Sequence, residues 1–356
     1  MLLLWAISCA TVSATGTPGD TQAEAEPEPT PEGALALEGA VVLGRADEAG
    51  PLYIVDGQIV SEAPAGAAVV DVSGTFIVPA FIDSHVHFAY QPDTDEMLDG
   101  GVVAGVDLAA PIDSLSSDLS PMRVLWAGPM VTAEGGYPTQ SWGRNGYGIE
   151  CGDASAAEAA VDLLADAGAA VIKVPISSGP VFDDAALEAV VSRASGRGLP
   201  VVVHALSDAQ AARGAAAGAT VLAHTPTEAL SAETVSAWAG GAVISTLAAF
   251  GGSDAEANLA ALRAEGATVL YGTDFGNLRT PGISSTEIAR LSSAGLSASE
   301  ILAAGTSAPA SFWGLETLGH LGAGAEASFL VLRTDPREEP GALSSPEQVW
   351  VQGARR

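Results

Sequence analysis

The feature that most constrains the fold is a repeated alternation of strand-like apolar runs with Ala-rich amphipathic segments, which begins near Pro79. Such alternation is typical of βαβ units in a parallel sheet. Eight such runs follow one another, and we predict strands at residues 80–88, 103–108, 124–131, 169–174, 199–204, 220–224, 242–247 and 267–274. Because eight β/α units close a barrel, the sequence predicts an α/β fold of the (β/α)8 TIM-barrel type.

Helical segments separate the predicted strands. Each opens near an acidic or hydroxyl residue suited to cap a helix. Examples lie at residues 155–167, 184–196, 208–217 and 254–265, and a last helical stretch covers residues 299–314.

Strand-like runs also flank the barrel. Between about residue 36 and Val78 short apolar runs alternate with turns, and Asp56-Gly57 has the composition of a hairpin turn, so we expect a small antiparallel element there. Strand texture returns near the C-terminus in ASFLVLRT and EQVWVQG. We therefore predict a small β-sandwich domain from residues 36–79 and 315–356, beside a barrel domain at residues 80–314.

Residues 1–35 differ from the rest of the chain. An apolar run, Met1–Ile7, is followed by Ser8-Cys9 and by an acidic stretch rich in Pro, Thr, Ala and Gly, which lacks the apolar surface needed to fold. This order resembles a bacterial lipoprotein leader, in which the cysteine is acylated. We expect a leader and disordered linker, with export to the periplasm or a lipid anchor at Cys9; the alternative is a frayed N-terminus on a cytoplasmic protein.

The charge balance limits the class of partner. The chain carries 14 Lys and Arg against 43 Asp and Glu, a formal net charge of −29. Because phosphate binding needs clustered basic residues, nucleic acid is excluded as a partner. A small molecule or dipeptide is the expected substrate, and the oligomeric state stays open.

Four of the five histidines stand at the ends of predicted strands. His85 and His87 occur in FIDSHVHF, and alternation along a strand points both imidazoles to the same side, here the barrel interior. His204 ends the fifth predicted strand and His224 the sixth. Because the carboxyl ends of barrel strands meet at one rim, these imidazoles should converge.

The single lysine of the chain, Lys173, lies in AAVIKVP at the end of the fourth predicted strand. A buried amine without a partner is costly, so it should lose its charge or be converted chemically. Carboxylation by carbon dioxide would give an anion able to bridge two metal ions. Asp274, in TVLYGTDFG, closes the eighth predicted strand and completes the ligand set. Nitrogen and oxygen donors without thiolate favour zinc, with manganese, iron or cobalt as alternatives.

With these residues in place, the sequence resembles the amidohydrolase superfamily, in particular the imidazolonepropionase-like branch that includes Xaa-Pro dipeptidase-type enzymes. The resemblance covers about residues 36–354 and rests on VVDVSGTFIVPAFIDSHVHF, on the IKV, HA, AHT and GTD strand ends, and on the closing TSAPASFWGLETLGHLGAGAEASFLVL. Two positions depart from the usual pattern: VPAF replaces Pro-Gly before the first motif, and Ser328 stands where aspartate is common.

The resemblance implies a metal centre of one or two divalent ions. Its ligands map onto His85, His87, Lys173, His204, His224 and Asp274, and the lysine favours the two-metal subtype. Deaminase-like members instead carry a glutamate shortly after the strand-five histidine, where this chain offers Asp208, so deamination is disfavoured.

The implied mechanism is hydrolysis of a C–N bond in an amide or dipeptide, including the Xaa-Pro type. Two ions bridged by carboxylated Lys173 would lower the pKa of a shared water and supply hydroxide. Asp274 would take the proton of that water and hand it to the leaving nitrogen, as general base and then general acid.

Substrate contacts are expected from the loop GGYPTQSWGRNGYG after the third strand. Tyr137 and Trp142 could face the substrate there, and Arg144 either pairs with a substrate carboxylate or forms a salt bridge within the loop. We expect His320 to be structural and Cys151 to be unreactive.

Two other functions remain open at this point. One is hydrolysis of a cyclic amide, as in imidazolonepropionase. The other belongs to a different class, a tethered binding lipoprotein that holds metal without turnover; loss of Asp274 or Lys173 would mark such a protein, and both are present.

Overall fold

The structure is a computed structural model that describes residues 33–45 and 48–356. Residues 1–32 of the predicted leader and linker, including the proposed lipid anchor at Cys9, fall outside the described residues, and its last residue, Leu35, already begins a strand. In chain order the strands are β1 Leu35–Glu38, β2 Val41–Val42, β3 Leu52–Val55, β4 Gln58–Val60, β5 Ala68–Asp71, β6 Phe76–Pro79, β7 Phe81–Val86, β8 Val102–Asp107, β9 Arg123–Trp126, β10 Met130–Ala133, β11 Gly148–Cys151, β12 Ile172–Pro175, β13 Val201–His204, β14 Val221–Leu222, β15 Ala242–Ile244, β16 Thr268–Leu270, β17 Phe329–Leu332, β18 Gln348–Val351 and β19 Ala354–Arg355.

The helices lie between these strands. They are α1 Thr94–Asp99, α2 Ala154–Asp166, α3 Asp184–Gly196, α4 Asp208–Ala216, α5 Ala232–Ala237, α6 Leu247–Phe250, α7 Ser253–Ala264, α8 Ser285–Ser293, α9 Ala298–Gly305 and α10 Ser307–Trp313, with 3-10 helices at Ile112–Ser116 and Pro340–Ser344. Within the described ranges, no helix has both the length and the apolar character that a bilayer span requires.

Eight parallel strands form a barrel. Strands β7, β8 and β9 make one sheet, and β12 to β16 make a second in sequence order. Hydrogen bonds join the sheets at both seams: Ala170 N–H donates to the Trp126 carbonyl at 2.8 Å, and Ser84 N–H donates to the Tyr271 carbonyl at 2.8 Å. The strands thus close on themselves, which confirms the predicted barrel.

The predicted third strand, residues 124–131, is interrupted in the structure. Strand β9 ends at Trp126, the chain turns at Gly128 with a φ of +71°, and β10 then pairs with β11 in a separate two-stranded sheet. The Gly128-Pro129 pair inside this run is a turn signal, which the prediction of a single strand overlooked. Strands β10 and β11 therefore do not belong to the eight-stranded wall of the barrel.

The helices begin at the caps that the sequence indicates. Asp153 accepts a hydrogen bond from Ala156 N–H at the start of α2, and Ser207 with Gln210 forms a capping box at α4. The last predicted helix, residues 299–314, is instead two helices, α9 and α10, because Thr306 leaves the helical region with φ −129° and ψ −90°.

A small β-sandwich is built from both ends of the described chain. One sheet has the order β4-β3-β1-β5 and the other β19-β18-β17-β6-β2. Antiparallel pairing of β6 with β17 joins the N-terminal and C-terminal segments. The predicted hairpin at Asp56-Gly57 is present, with φ values of +49° and +75°. The expectation of a wholly antiparallel element was wrong, because β1 pairs with β5, and β2 with β6, in parallel.

Candidate metal centre and substrate cavity

Strand alternation places the candidate ligands above the barrel core. Val171 and Val202 belong to an apolar cluster shared by neighbouring barrel strands. Lys173 and His204 lie two residues further along the chain, near the carboxyl ends of β12 and β13, so their side chains face the same side of the strands as these valines. Among barrel enzymes this is the end where chemistry takes place.

His224 and Asp274 lie in loops just after barrel strands, and their side chains line the same cavity as Lys173 and His204. His224 follows the end of β14 at Leu222, and Asp274 follows the end of β16 at Leu270. The prediction that Asp274 closes its strand was therefore wrong in detail: it adopts a left-handed backbone with φ +59°. A non-glycine residue in this region is strained, and such strain concentrates at functional sites.

The His-x-His pair meets Asp274 as the spacing predicts. Oδ1 of Asp274 lies 3.4 Å from Nε2 of His85 and 3.1 Å from Nε2 of His87. The ligand atoms of these three buried residues lie within 4.8 Å of one another, a grouping that could hold a metal ion.

The remaining imidazoles continue the cluster. The ring of His224 lies 4.6 Å from the His85 ring and 4.8 Å from the His204 ring, measured between centroids. Lys173 lies in the same cavity, and its ammonium nitrogen Nζ is buried without a hydrogen-bond partner among the described residues. All six residues predicted from sequence therefore line one cavity.

Burial sets the protonation of this cluster. It lowers the pKa of His85 and His224 well below the usual range and lowers that of His204 to about 3, with the Lys173 charge as a further cause at His204. Burial also lowers the pKa of Lys173 to about 7, against the opposing attraction of Asp274. These imidazoles are therefore neutral, and a neutral imidazole nitrogen is the form that binds metal.

Asp274 behaves in the opposite way. Burial alone would raise the pKa of its carboxyl, but the adjacent imidazoles of His85 and His87, with hydrogen bonds from His87 and Asn277, outweigh burial and lower the pKa to about 2. The carboxylate is thus ionised at neutral pH and can accept a proton or a cation.

Hydrogen bonds fix the orientation of the imidazoles. Nδ1 of His85 donates to the carbonyl oxygen of Ala223 at 2.9 Å, which leaves the Nε2 lone pair directed toward the Asp274 carboxylate. Two electron-rich atoms 3.4 Å apart, with no proton between them, repel each other. A cation between them would turn this repulsion into attraction, so the donor set fits a divalent metal.

Asp83 is a residue that the sequence reasoning missed. Its buried carboxylate accepts hydrogen bonds from His85 N–H at 3.0 Å and from the Thr273 hydroxyl at 2.6 Å. It therefore ties the end of the first barrel strand to the residue before Asp274. The sequence offered one sign of this role, the position of Asp83 two residues before His85. An aspartate at that position could equally well be a metal ligand, so its supporting role could not be predicted.

Glu287, at the start of α8, was also missed. Its buried carboxylate accepts hydrogen bonds from Leu247 N–H at 3.0 Å and Ala248 N–H at 2.6 Å. The preceding residue, Thr246, has a φ of +42°, and its hydroxyl lies 3.0 Å from Nδ1 of His224. Glu287 therefore holds the strained turn that positions His224.

A cavity of about 480 Å³ opens above the cluster. This volume lies within the range of small-molecule sites. Besides the six candidate ligands, its walls are mostly aromatic and apolar, with two polar side chains from the loop after β16: Tyr90, Met130, Tyr137, Trp142, Leu206, Phe250, Asn277 and Arg279, with Gly276.

Of the predicted substrate residues, Tyr137 and Trp142 line this cavity and Arg144 does not. The Trp142 indole N–H donates to the Tyr137 hydroxyl at 2.8 Å, and the Tyr137 ring stacks on His204 at 5.4 Å. Arg144 is exposed and donates to the Gln140 carbonyl, and no ion pair of the described residues includes it. The expectation placed Arg144 on the wrong side of its loop, which the sequence does not orient.

Three further residues from the sequence reasoning lie away from the cavity walls. Asp208 accepts hydrogen bonds from Ser231, and Nε2 of His320 donates to the Glu316 carbonyl. Cys151 is buried, and burial raises the pKa of its thiol to about 11.

Residues 76–355 match the Amidohydrolase family. The chain belongs to this family. Membership confirms the resemblance that the sequence motifs indicated and places this amidohydrolase among the hydrolases that act on carbon–nitrogen bonds.

Individual relatives agree with this assignment. An uncharacterized protein of Mycobacterium tuberculosis is 28% identical to this amidohydrolase over 359 residues, which cover 87% of this chain and 93% of the relative. Among solved structures, a Xaa-Pro dipeptidase with methionine bound in its active site is similar with a TM-score of 0.77 at 18% identity, covering 91% of this chain and 99% of that one. A prolidase complexed with N-methylphosphonate-L-proline has a TM-score of 0.74 at 20% identity, covering 91% and 99%. At these identities the structures show a shared fold.

Proposed function

We propose that this amidohydrolase hydrolyses the C–N bond of amides or dipeptides, with the Xaa-Pro type as the first candidate among dipeptides. The observation that carries the proposal is the convergence of four imidazoles, a buried amine and a carboxylate on one cavity. In this proposal His85, His87, Lys173, His204, His224 and Asp274 hold two divalent ions, zinc first. Bound ions would polarise the scissile carbonyl and lower the pKa of a water molecule.

Lys173 would act as a carboxylated ligand. Its pKa of about 7 makes a large fraction of the amine neutral at physiological pH, and a neutral amine is a nucleophile. Its nitrogen forms a bond to the carbon of carbon dioxide and loses one proton, which leaves a carbamate anion. A carbamate at this position would replace an unpartnered buried amine by an anionic metal ligand, which supports the proposed two-metal form.

Asp274 would transfer the proton. Its carboxylate is ionised at neutral pH and lies within 3.4 Å of both imidazoles of the His-x-His pair. It can take the proton of the attacking water as general base and then deliver it to the leaving nitrogen as general acid. Asn277 donates to the other oxygen of the same carboxylate at 3.1 Å and so fixes its orientation.

The cavity walls favour a substrate with an apolar or ring-shaped group. Tyr137, Trp142 and Phe250 supply aromatic surface close to the imidazoles. The similar structures named above hold methionine and a proline phosphonate, ligands that combine an amino-acid carboxylate with an apolar group. These observations support a dipeptide or N-acyl amino acid over a larger substrate.

Substrate screening tests the proposal. The purified protein, supplied with zinc and bicarbonate, would be assayed on Xaa-Pro and other dipeptides, N-acyl amino acids and cyclic amides. We expect turnover of a dipeptide or N-acyl amino acid. Turnover of cyclic amides alone would shift the assignment to an imidazolonepropionase-type hydrolase. Bound metal without turnover of any of these substrates would contradict the proposal and favour a binding protein.

Asp274→Asn tests the proton transfer. Because asparagine cannot accept the proton, kcat should fall by about 100-fold or more, in line with the loss of a general base. Metal content has to be measured beside the rate, since Asp274 is also a proposed ligand. A variant that keeps its metal and its full rate would show that Asp274 is not the base.

A further inference from the structure

Arg279 stands out among the arginines of this acidic chain. Nine arginines form ion pairs with carboxylates in the described residues: Arg123, Arg193, Arg197, Arg213, Arg263, Arg290, Arg333, Arg337 and Arg356. Arg279, like the exposed Arg144, has no such partner among the described ion pairs, although the chain carries 43 acidic residues. It lines the cavity of the candidate metal centre, five residues after Asp274.

The guanidinium of Arg279 is held in place by neutral groups. It donates to Oε1 of Gln91 at 2.5 Å and lies 5.6 Å from the centre of the Tyr90 ring. The amide nitrogen Nε2 of Gln91 donates to Oδ2 of Asp93 at 2.6 Å, and this hydrogen bond orients the Gln91 oxygen toward Arg279. Stacking on an aromatic face and one neutral acceptor orient a guanidinium without neutralising its charge. Other N–H groups stay available for a ligand.

An aromatic wall connects this charge to the metal centre. The Tyr90 ring lies 5.7 Å from the Trp142 ring, which lies 5.5 Å from the imidazole of His87. A substrate whose scissile carbonyl lies at the imidazole cluster would place an apolar group against Trp142 and a further group near Arg279.

From this arrangement we infer that Arg279 binds a carboxylate of the substrate, so that the substrate class is an N-acyl amino acid or dipeptide with a free α-carboxylate. The inference rests on the proposed function of the same cavity. A fork of guanidinium N–H groups matches the two oxygens of a carboxylate. A cation without an acidic partner also draws an anionic substrate toward a protein whose net charge of −29 would otherwise repel it. The role that the sequence suggested for Arg144 thus falls to Arg279.

Matched substrates and matched variants test this inference. Dipeptides and N-acetyl amino acids would be compared with their C-terminal carboxamides, which lack the negative charge. The variants are Arg279→Met and the control Arg144→Met; Arg144 is an exposed arginine on a neighbouring loop and does not line the cavity.

We expect the wild type to prefer the acids. In Arg279→Met, the KM for acids should rise by about 10- to 100-fold, the range for loss of one charge-assisted contact, whereas rates on carboxamides stay unchanged. Arg144→Met should behave as wild type. Equal turnover of acids and carboxamides by the wild type, or an equal loss on both in Arg279→Met, would overturn the inference.

A binding measurement separates this inference from the proposed hydrolysis. The metal-loaded protein would be titrated calorimetrically with 3-phenylpropanoate and with 3-phenylpropanamide. Arg279→Met should weaken binding of the acid by about 10-fold or more and leave the amide unaffected, while Arg144→Met changes neither. This result would support the carboxylate site even if no amide substrate were hydrolysed. Acid binding that is equal in wild type and Arg279→Met would reject the site whatever the activity.

Discussion

The buried side chain of Lys173 costs stability, although the proposed chemistry requires it. Its amine is buried without a hydrogen-bond partner among the described residues. An unsatisfied buried polar group costs about 1–3 kcal/mol of the free energy of unfolding. A lysine that only served the fold would gain nothing from this position, whereas a lysine that becomes a carbamate and binds cations would.

Lys173→Met separates these two roles. Methionine fills similar space without the amine. The free energy of unfolding of the metal-free variant should therefore exceed that of the metal-free wild type by about 1–3 kcal/mol, and the variant should unfold at a higher urea concentration. With metal supplied, the same variant should lose at least about 100-fold in kcat/KM, because a ligand is missing.

Urea unfolding after chelation and steady-state kinetics measure the two effects. A metal-free Lys173→Met that is less stable than wild type would show that the amine is a structural partner. Arg144→Met, on the surface, controls for the gain of an apolar side chain.

At the scale of elements, the site depends on turns beyond the barrel strands. The strands end at Leu222, Ile244 and Leu270, and the chain then bends through left-handed residues at Thr246 and Asp274. Helix α8 supports one of these turns through Glu287, whose carboxylate accepts two N–H groups at the start of α6. The close approach of Gly276 to His87 supports the other, because a Cβ at Gly276 would lie 2.7 Å from the His87 Cβ.

Glu287→Gln should change how the free energy of unfolding depends on pH. Burial raises the pKa of Glu287 from its ordinary 4.5 to about 7, so between these values the folded state binds more protons than the unfolded state. The free energy of unfolding that Glu287 contributes is therefore highest below pH 4.5 and is lost as pH rises through 7, by roughly 3 kcal/mol. Glutamine does not titrate, so the stability difference between wild type and variant should shrink across this interval.

Urea unfolding at several pH values between 4.5 and 8 measures this difference. A stability difference independent of pH would contradict the raised pKa. Glu316→Gln, at an exposed glutamate, provides the matched control. Since Glu287 holds the turn that positions His224, Glu287→Gln should also lower activity.

At the scale of the whole molecule, the barrel and its six candidate ligands could be predicted because their signals are local. Alternation along a strand fixes where His85 and His87 point, and the strand ends of a barrel share one rim. The break after Trp126 was missed although Gly128-Pro129 marks a turn there, because apolar residues on both sides of the pair give the run the texture of one strand.

The residues that sequence reasoning missed depend on contacts between distant parts of the chain. Asp83 reaches Thr273, and Glu287 reaches Leu247, across separations that no spacing rule covers. Arg279 lies on an exposed loop without periodicity, so only the cavity shows its relation to the metal centre. Local pattern therefore predicts which groups meet, and tertiary packing determines what orients them.

The proposed function requires six side chains of the barrel, with carboxylated Lys173 among them, to hold a pair of divalent ions. The most direct measurement is the content of bound metal per chain by mass spectrometry of the elements, on wild type and Lys173→Met prepared with zinc and bicarbonate. We expect about two ions per wild-type chain, as in other two-metal hydrolytic sites, and fewer in Lys173→Met. A wild-type protein that binds no metal, or a variant that binds as much as wild type, would contradict it.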